Sequence, residues 1–259
     1  MELKEKYTIE DLLKIMARLR EPDGCPWDKV QTHQSIKKSM IEETYEAIDA
    51  LDFGDDKAFA NELGDVLLQV VFHAQIAKER GAFDFDDVVT EICTKLITRH
   101  THVFGSDSAG NEEEALTNWE KNKKKEKAID TYTGVLKDVP KYLPALMRAE
   151  KIQKKAGGFG FEFNNIEDVY AKVLEELDEL KQACAEKNSE HIREEYGDLL
   201  FSVVNLGRFI GADPETALTG ASNKFINRFE RVEKNAAALN KDIADMSEEE
   251  LDSLWNSIK

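Results

Sequence analysis

Five acidic side chains define the chemistry open to this sequence. Glu175, Glu176 and Glu179 sit close together, and after fifteen intervening residues come Glu195 and Asp198. Val169, Val173, Leu174, Leu177 and Leu180 recur at helical spacing around the first group. Leu199, Leu200, Phe201, Val203, Val204 and Leu206 follow the second. The spacing predicts two amphipathic helices joined by a turn near Lys187, Asn188 and Ser189. Positions three apart on a helix are separated by about 60° around the axis, so Glu176 and Glu179 share a face, as do Glu195 and Asp198. An antiparallel pairing turns the four carboxylates toward one another. On an apolar seam that arrangement is costly unless a cation neutralises it. Oxygen-only donors favour Mg²⁺, Mn²⁺ or Ca²⁺.

A single acidic cluster of this kind is most often a solvated face. Here the cluster occurs twice. Glu42, Glu43, Glu46, Glu62 and Asp65 match Glu175, Glu176, Glu179, Glu195 and Asp198, each displaced by 133 residues. Gly64, Leu67, Val70 and Val71 keep the same offset to Gly197, Leu200, Val203 and Val204. Solvated charges have no reason to keep register over such a distance, whereas ligands do.

The cations repeat as well. Lys95 and Arg99 stand four apart, as do Lys224 and Arg228. Trp119 and Lys123 are echoed by Trp255 and Lys259. Each half therefore carries metal-type carboxylates, a Lys/Arg pair and a Trp/Lys pair. A nucleotide polyphosphate calls for this set: a divalent cation for phosphate oxygens, fixed cations for the remaining charge, and an aromatic plane for the base.

The elements that must position these groups are read as helices throughout, with no strand pattern. Thr8 caps a helix through about Arg20, with Ile9, Leu12, Leu13, Met16 and Leu19 as its buried stripe. A Pro- and Gly-containing loop holds Trp27, which is expected to cover the core or to line a pocket, with the first slightly favoured. The first hairpin breaks near Phe53-Gly54-Asp55, and helices follow from about Asp86 to Arg99 and from Glu112. His100 and His102 have no close third ligand and are read as loop residues. The linker is placed at 129–140, where Asp130, Thr131, Gly134 and Pro140 interrupt the helical period. It separates domains at 1–128 and 141–259. The second half opens with a helix from about Pro144 to Lys155. The glycine-rich stretch from Gly157 to Phe161 lacks a P-loop pattern and reads as a turn with aromatic packing. Asp213-Pro214 and the Ser247/Glu250 capping box open the last two helices.

Bulk composition narrows the partners. With 52 acidic and 35 basic residues in 259, the net charge is −17, which repels nucleic acid. No apolar run approaches a membrane span. The charged N-terminus lacks the apolar core of a signal peptide. Cys25, Cys93 and Cys184 form no metal or disulfide pattern, fit a reducing cytoplasm, and are expected to pack in the core.

The doubled acidic pattern on two helices resembles the MazG family of nucleoside triphosphate pyrophosphohydrolases, in the all-α NTP pyrophosphatase superfamily. Three further segments are similar to that family. They are Leu19-Arg20-x-Pro22-x-Gly24-Cys25-Pro26-Trp27-Asp28, Arg99-His100-x-His102-Val103-Phe104, and Leu143-Pro144-Ala145-Leu146-x-Arg148-Ala149. The likeness covers nearly the whole chain. It implies a tandem repeat of two MazG-like helical domains, each contributing a helix pair to a four-helix-bundle-type core. It also implies hydrolysis of an NTP or dNTP to the monophosphate and pyrophosphate by water attack at the α-phosphorus. By the same resemblance Glu176, Glu179, Glu195 and Asp198 hold Mg²⁺, with Mn²⁺ as a substitute. Glu43, Glu46, Glu62 and Asp65 form the matching set.

Within the resemblance, Glu175 is a base or supporting metal partner. Lys172, Lys224, Arg228, Trp255 and Lys259 contact the nucleotide, while Lys95, Arg99, Trp119 and Lys123 form the corresponding second site. The first half departs from the pattern at Ser39, where the second has Lys172, and at Thr101, where the family more often has proline. The second half is therefore expected to carry most turnover. A helix hairpin leaves one apolar side open, and with the resemblance this implies a homodimer. Two rival readings exist. A di-iron bundle would need Glu-x-x-His motifs, whereas these motifs end in Asp65 and Asp198. A nucleotide or metal sensor would bind without turnover.

Overall fold

The computed structural model describes residues 3–126 and 131–258, and every regular element among them is helical. The all-α expectation holds. Two compact units are present, Met1–Glu126 and Lys127–Lys259.

In the first unit, α1 (Ile9–Arg20) begins at a capping box made by Thr8 and Asp11. Its stripe of Ile9, Leu12, Leu13 and Leu19 packs around a core of Met16, Ile36, Val71, Phe72 and Ile76. The acidic hairpin is α2 (Lys37–Phe53) and α3 (Asp56–Glu79). Between them Gly54 takes φ 72, a left-handed conformation that glycine adopts without a Cβ penalty. Asp55 then caps α3 by accepting from the amides of Lys57 and Ala58. Next come α4 (Phe85–Arg99), α5 (Thr101–Phe104) and α6 (Glu112–Glu126). The α5 turn contains Thr101 and His102, which the sequence placed in a loop.

The second unit starts with α7 (Tyr132–Lys137), inside the segment read as a linker. Thr131 accepts from the Gly134 amide, and Val135 and Val139 are buried. This local cap and two buried valines outweigh the weak helical period. Residues 129 and 130 of that expected linker, and the 128/129 boundary, lie outside the described residues. Then follow α8 (Ala145–Gly157), α9 (Ile166–Glu186), α10 (Ser189–Ile210), α11 (Pro214–Ala238) and α12 (Glu248–Ser257). The caps read from Asp213 and from Ser247 with Glu250 are in place. The turn between α9 and α10 falls at Lys187, with φ 57, and Asn188. α9 and α10 pack on each other, α8 packs on α10 and α11, and α11 packs on α12.

Leu174, Leu200, Phe201 and Val203 are exposed in this chain, in keeping with a helix hairpin that leaves one apolar side open. The expected burial of the cysteines fails. Trp27 is 60 % exposed and touches Phe72 only by its edge, while Cys93 and Cys184 are exposed instead of packed in the core. Helical period identifies an apolar side but does not say whether the same chain covers it.

Candidate active site

In the second unit Glu176, Glu179 and Glu195 each bring a carboxylate oxygen within 4.8 Å of the others. Glu176 is 6 % exposed, Glu195 is half-buried and Glu179 faces out. Burial, then the charges of Glu176 and Glu195, hold the Glu179 carboxyl above its ordinary value, against the opposing pull of Lys172. Lys172 Nζ donates to Glu175 at 3.0 Å and pairs with Glu176 at 2.8 Å. These two partners hold its ammonium above the usual lysine range. His191 Nε2 lies 2.9 Å from Glu195 Oε1. The sequence reading passed over this histidine, although its position one turn before Glu195 was legible. Asp198 stands outside the three-carboxylate group but shares a cavity wall with Lys172 and Glu176.

The first unit assembles a related group from Glu43, Glu62 and Asp65. Burial, then Asp65, Glu46 and Glu62, raise the Glu43 carboxyl. Glu46 lies outside the group. Asn61 donates to Glu62 and Asp65 at 3.3 and 3.4 Å, and Ser39 takes the place of the second unit's Lys172. The two hairpins therefore share two members at the repeat offset, Glu43 with Glu176 and Glu62 with Glu195.

The cation and aromatic pairs form separate clusters. Arg228 lies 4.1 Å over the Trp255 ring and donates to the Trp255 carbonyl at 3.1 Å. Arg99 sits 5.1 Å over Trp119 and forms a bidentate pair with Glu126 at 2.8 and 2.9 Å. Lys95 pairs with Glu91, and Lys224 is exposed. Lys123 is half-buried on α6. Lys259 lies outside the described residues. The halves thus agree in cation–aromatic architecture, as the sequence repeat implies. Arg228 and Trp255 belong to α11 and α12, whose main packing is on each other and on α8.

A cavity of about 570 Å³ opens beside the second unit's carboxylates, walled by α8, α10 and the loop after Gly157. Gly160 at φ 83 turns that loop, and Phe161 and Phe163 line the cavity. Glu162 and Arg208 brace it with bonds of 3.1 and 2.7 Å. A Cβ at Gly157 would meet the Glu162 carboxylate at 2.2 Å, so glycine makes room for this pair. The cavity was not legible in the sequence, because its walls meet only through tertiary packing.

Fold and site together define an all-α tandem protein with one acidic hairpin per repeat. The sequence pattern of the MazG nucleotide pyrophosphohydrolase domain matches residues 31–104 and 164–233, spanning both hairpins. A nucleoside triphosphate pyrophosphohydrolase/pyrophosphatase MazG of Thermotoga maritima is 46 % identical over 253 residues, covering 96 % of this chain and 95 % of that protein. A nucleoside triphosphate pyrophosphohydrolase of Escherichia coli is 44 % identical over 256 residues, 97 % of each chain. An uncharacterised protein YabN of Bacillus subtilis is 46 % identical over 246 residues, 95 % of this chain and 50 % of that one. The chain belongs to the MazG family, a family of enzymes.

Proposed function

We propose that this enzyme hydrolyses nucleoside triphosphates, ribo or deoxyribo, to the monophosphate and pyrophosphate. Its cellular role is then nucleotide-pool house-cleaning in the cytoplasm. One observation carries the reading: the carboxylates of Glu176, Glu179 and Glu195 and the Lys172 ammonium gather beside a cavity large enough for a nucleoside. The names of the Thermotoga maritima and Escherichia coli relatives support it.

The donor set fits a hard divalent cation. All donors are carboxylate oxygens, and burial first, then the charges of Glu176 and Glu195, raise the Glu179 carboxyl. Glu176, Glu179, Glu195 and Asp198 would hold Mg²⁺ (or Mn²⁺), with Glu43, Glu46, Glu62 and Asp65 as the first unit's set. Bound there, the ion supplies Lewis acidity toward phosphate oxygens. Lys172 neutralises charge on the triphosphate, and Glu175, bonded to Lys172, accepts the proton of the attacking water. Lys224, Arg228 and Lys259 add positive charge, and Trp255 an aromatic surface. Lys95, Arg99, Trp119 and Lys123 do the same in the first unit.

A homodimer completes the reading. Leu174, Leu200 and Val203 on the hairpin and Phe225, Ile226 and Phe229 on α11 are exposed apolar side chains that a second copy would cover. Among the described residues no helix is long and apolar enough to cross a membrane. The net charge of −17 argues against a nucleic-acid partner.

The test is pyrophosphate release by the full chain from a panel of NTPs and dNTPs, with Mg²⁺ and with EDTA. Mg²⁺-dependent release supports the proposal. Nucleotide binding without release favours the sensor reading instead.

A further inference from the structure

The cavity wall contains a polar group that has no partner among the described residues. Gln153, on α8, is 7 % exposed and lines the cavity. Its Nε2 donates to the Phe201 carbonyl at 2.8 Å, while its Oε1 is buried with no hydrogen-bond partner among the described residues. The first bond fixes the amide's orientation, since a flip would set Oε1 against a carbonyl oxygen. A buried acceptor left unpaired is destabilising, so Gln153 Oε1 favours a hydrogen-bond donor, N–H or O–H. A phosphate oxygen has none to give and would be repelled.

Asn205 supplies the complement. Its Oδ1 accepts from Arg208 Nη1 at 2.7 Å, which leaves the Nδ2 end to donate. Arg208 is itself held by both oxygens of Glu162. The cavity thus offers one fixed acceptor and one donor between the apolar walls of Phe161, Phe163 and Ile152, with Lys172 and Glu176 also on its lining. The hydrogen-bonding edge of a nucleobase carries a donor and an acceptor side by side on a flat apolar ring.

The first unit is filled at the matching position. At the hairpin offset of 133, Asn205 corresponds to Phe72. Phe72 is 3 % exposed within the core, the Arg20 guanidinium lies 5.4 Å over its ring, and Arg20 pairs with Glu79 at 2.7 Å. Trp255, the aromatic plane suggested by the sequence, already has Arg228 against its ring.

We propose that the nucleobase of the substrate enters the second unit's cavity and donates a hydrogen bond to Gln153 Oε1. This rests on the proposed nucleotide hydrolysis.

The test compares ATP with purine riboside 5′-triphosphate, which lacks the 6-amino donor, using the full-length enzyme. Wild type should favour ATP in kcat/KM by about tenfold or more, because a site built around a hydrogen bond rejects the analogue lacking it. In Gln153→Leu the preference should fall to about unity, mainly through a higher KM for ATP. A second variant, Asn205→Phe, reproduces the first unit's filled arrangement. It should raise KM for every NTP while leaving competitive inhibition by inorganic tripolyphosphate, which has no base, unchanged. The proposal is overturned if wild type shows no preference, if Gln153→Leu keeps the wild-type ratio, or if Asn205→Phe leaves KM unaltered. Should wild type release no pyrophosphate from any nucleotide, the hydrolytic reading fails by itself. Equilibrium dialysis of the same two triphosphates would then decide the pocket, with an ATP preference that Gln153→Leu removes supporting it and equal binding overturning it.

Discussion

Lys172 Nζ lies 2.8 Å from Glu176 Oε1, one helical turn along α9, and 3.0 Å from Glu175. The first unit has Ser39 at the corresponding place, so this contact separates two otherwise similar acidic hairpins. A side chain four residues before a ligand carboxylate is near enough to meet a triphosphate bound there. Lys172→Ala should lower kcat/KM for NTP by roughly tenfold to a hundredfold, on the scale of about 1–3 kcal/mol for a charge-assisted contact. Mg²⁺ binding, read by isothermal titration calorimetry, should persist. Unchanged pyrophosphate release would remove Lys172 from the reaction.

Glu179 carries the opposite lesson. Its carboxyl is held above the ordinary value of 4.5, by burial first and then by Glu176 and Glu195. A folded-state value above the unfolded one means that the folded protein retains a proton where the unfolded chain has lost it. Stability from this group is therefore lost as pH rises through the folded value. Glu179→Ala removes that loss. In EDTA the variant should melt no lower than wild type, and its relative advantage should be larger at pH 7.5 than at pH 5. Mg²⁺-dependent turnover should collapse in the same protein. A clear drop in the melting temperature at pH 7.5 would contradict the account of carboxylate repulsion.

His33 and His73 in the first unit stack with ring centroids 5.1 Å apart and Nδ1 atoms 2.8 Å apart. One ring must offer a proton and the other a lone pair, so the contact needs at least one neutral imidazole. Burial, then the charge of His33, hold His73 below its ordinary value of 6.5. The depressed value means that the unfolded chain binds protons more readily. Stability is present in full above about pH 6.5 and declines as pH falls through the folded value. Thermal unfolding followed from pH 7.5 to 5.5 should show a shallower decline for His73→Asn than for wild type. Parallel profiles would show that the pair does not couple to folding.

Much of this molecule was readable because helix ends and helical period are local. Asp213 and Ser247 announce their helices by side chains that accept from the first free amides, and Thr8 announces its helix through the bond from its own amide to Asp11. The acidic hairpins were legible because the sequence states them twice. The α7 helix was not, since Gly134 and Pro140 outweigh six residues of weak pattern. Gln153 is 48 positions from Phe201, and no spacing rule links them. The exposure of Leu174 and Val203 accords with the open apolar side expected of a hairpin, although period marks an apolar face without naming its cover.

The last prediction ranks the two units. Both assemble carboxylates, so metal binding alone does not separate them. The second unit adds Lys172 and an open cavity, while the first has Ser39 and a buried Phe72 at the matching positions. Turnover needs a place for the nucleoside as well as charge for the phosphates, and only the second unit joins them among the described residues. Glu176→Ala or Asp198→Ala in the full chain should cut pyrophosphate release by roughly a hundredfold or more, as removing one group that stabilises developing charge does elsewhere. Glu43→Ala or Asp65→Ala should cost less than about threefold, well under 1 kcal/mol of barrier. Steady-state assays with ATP and dGTP on all four variants make the comparison. Equal losses in both sets would mean that the two acidic hairpins are equivalent or coupled, and the ranking would be wrong.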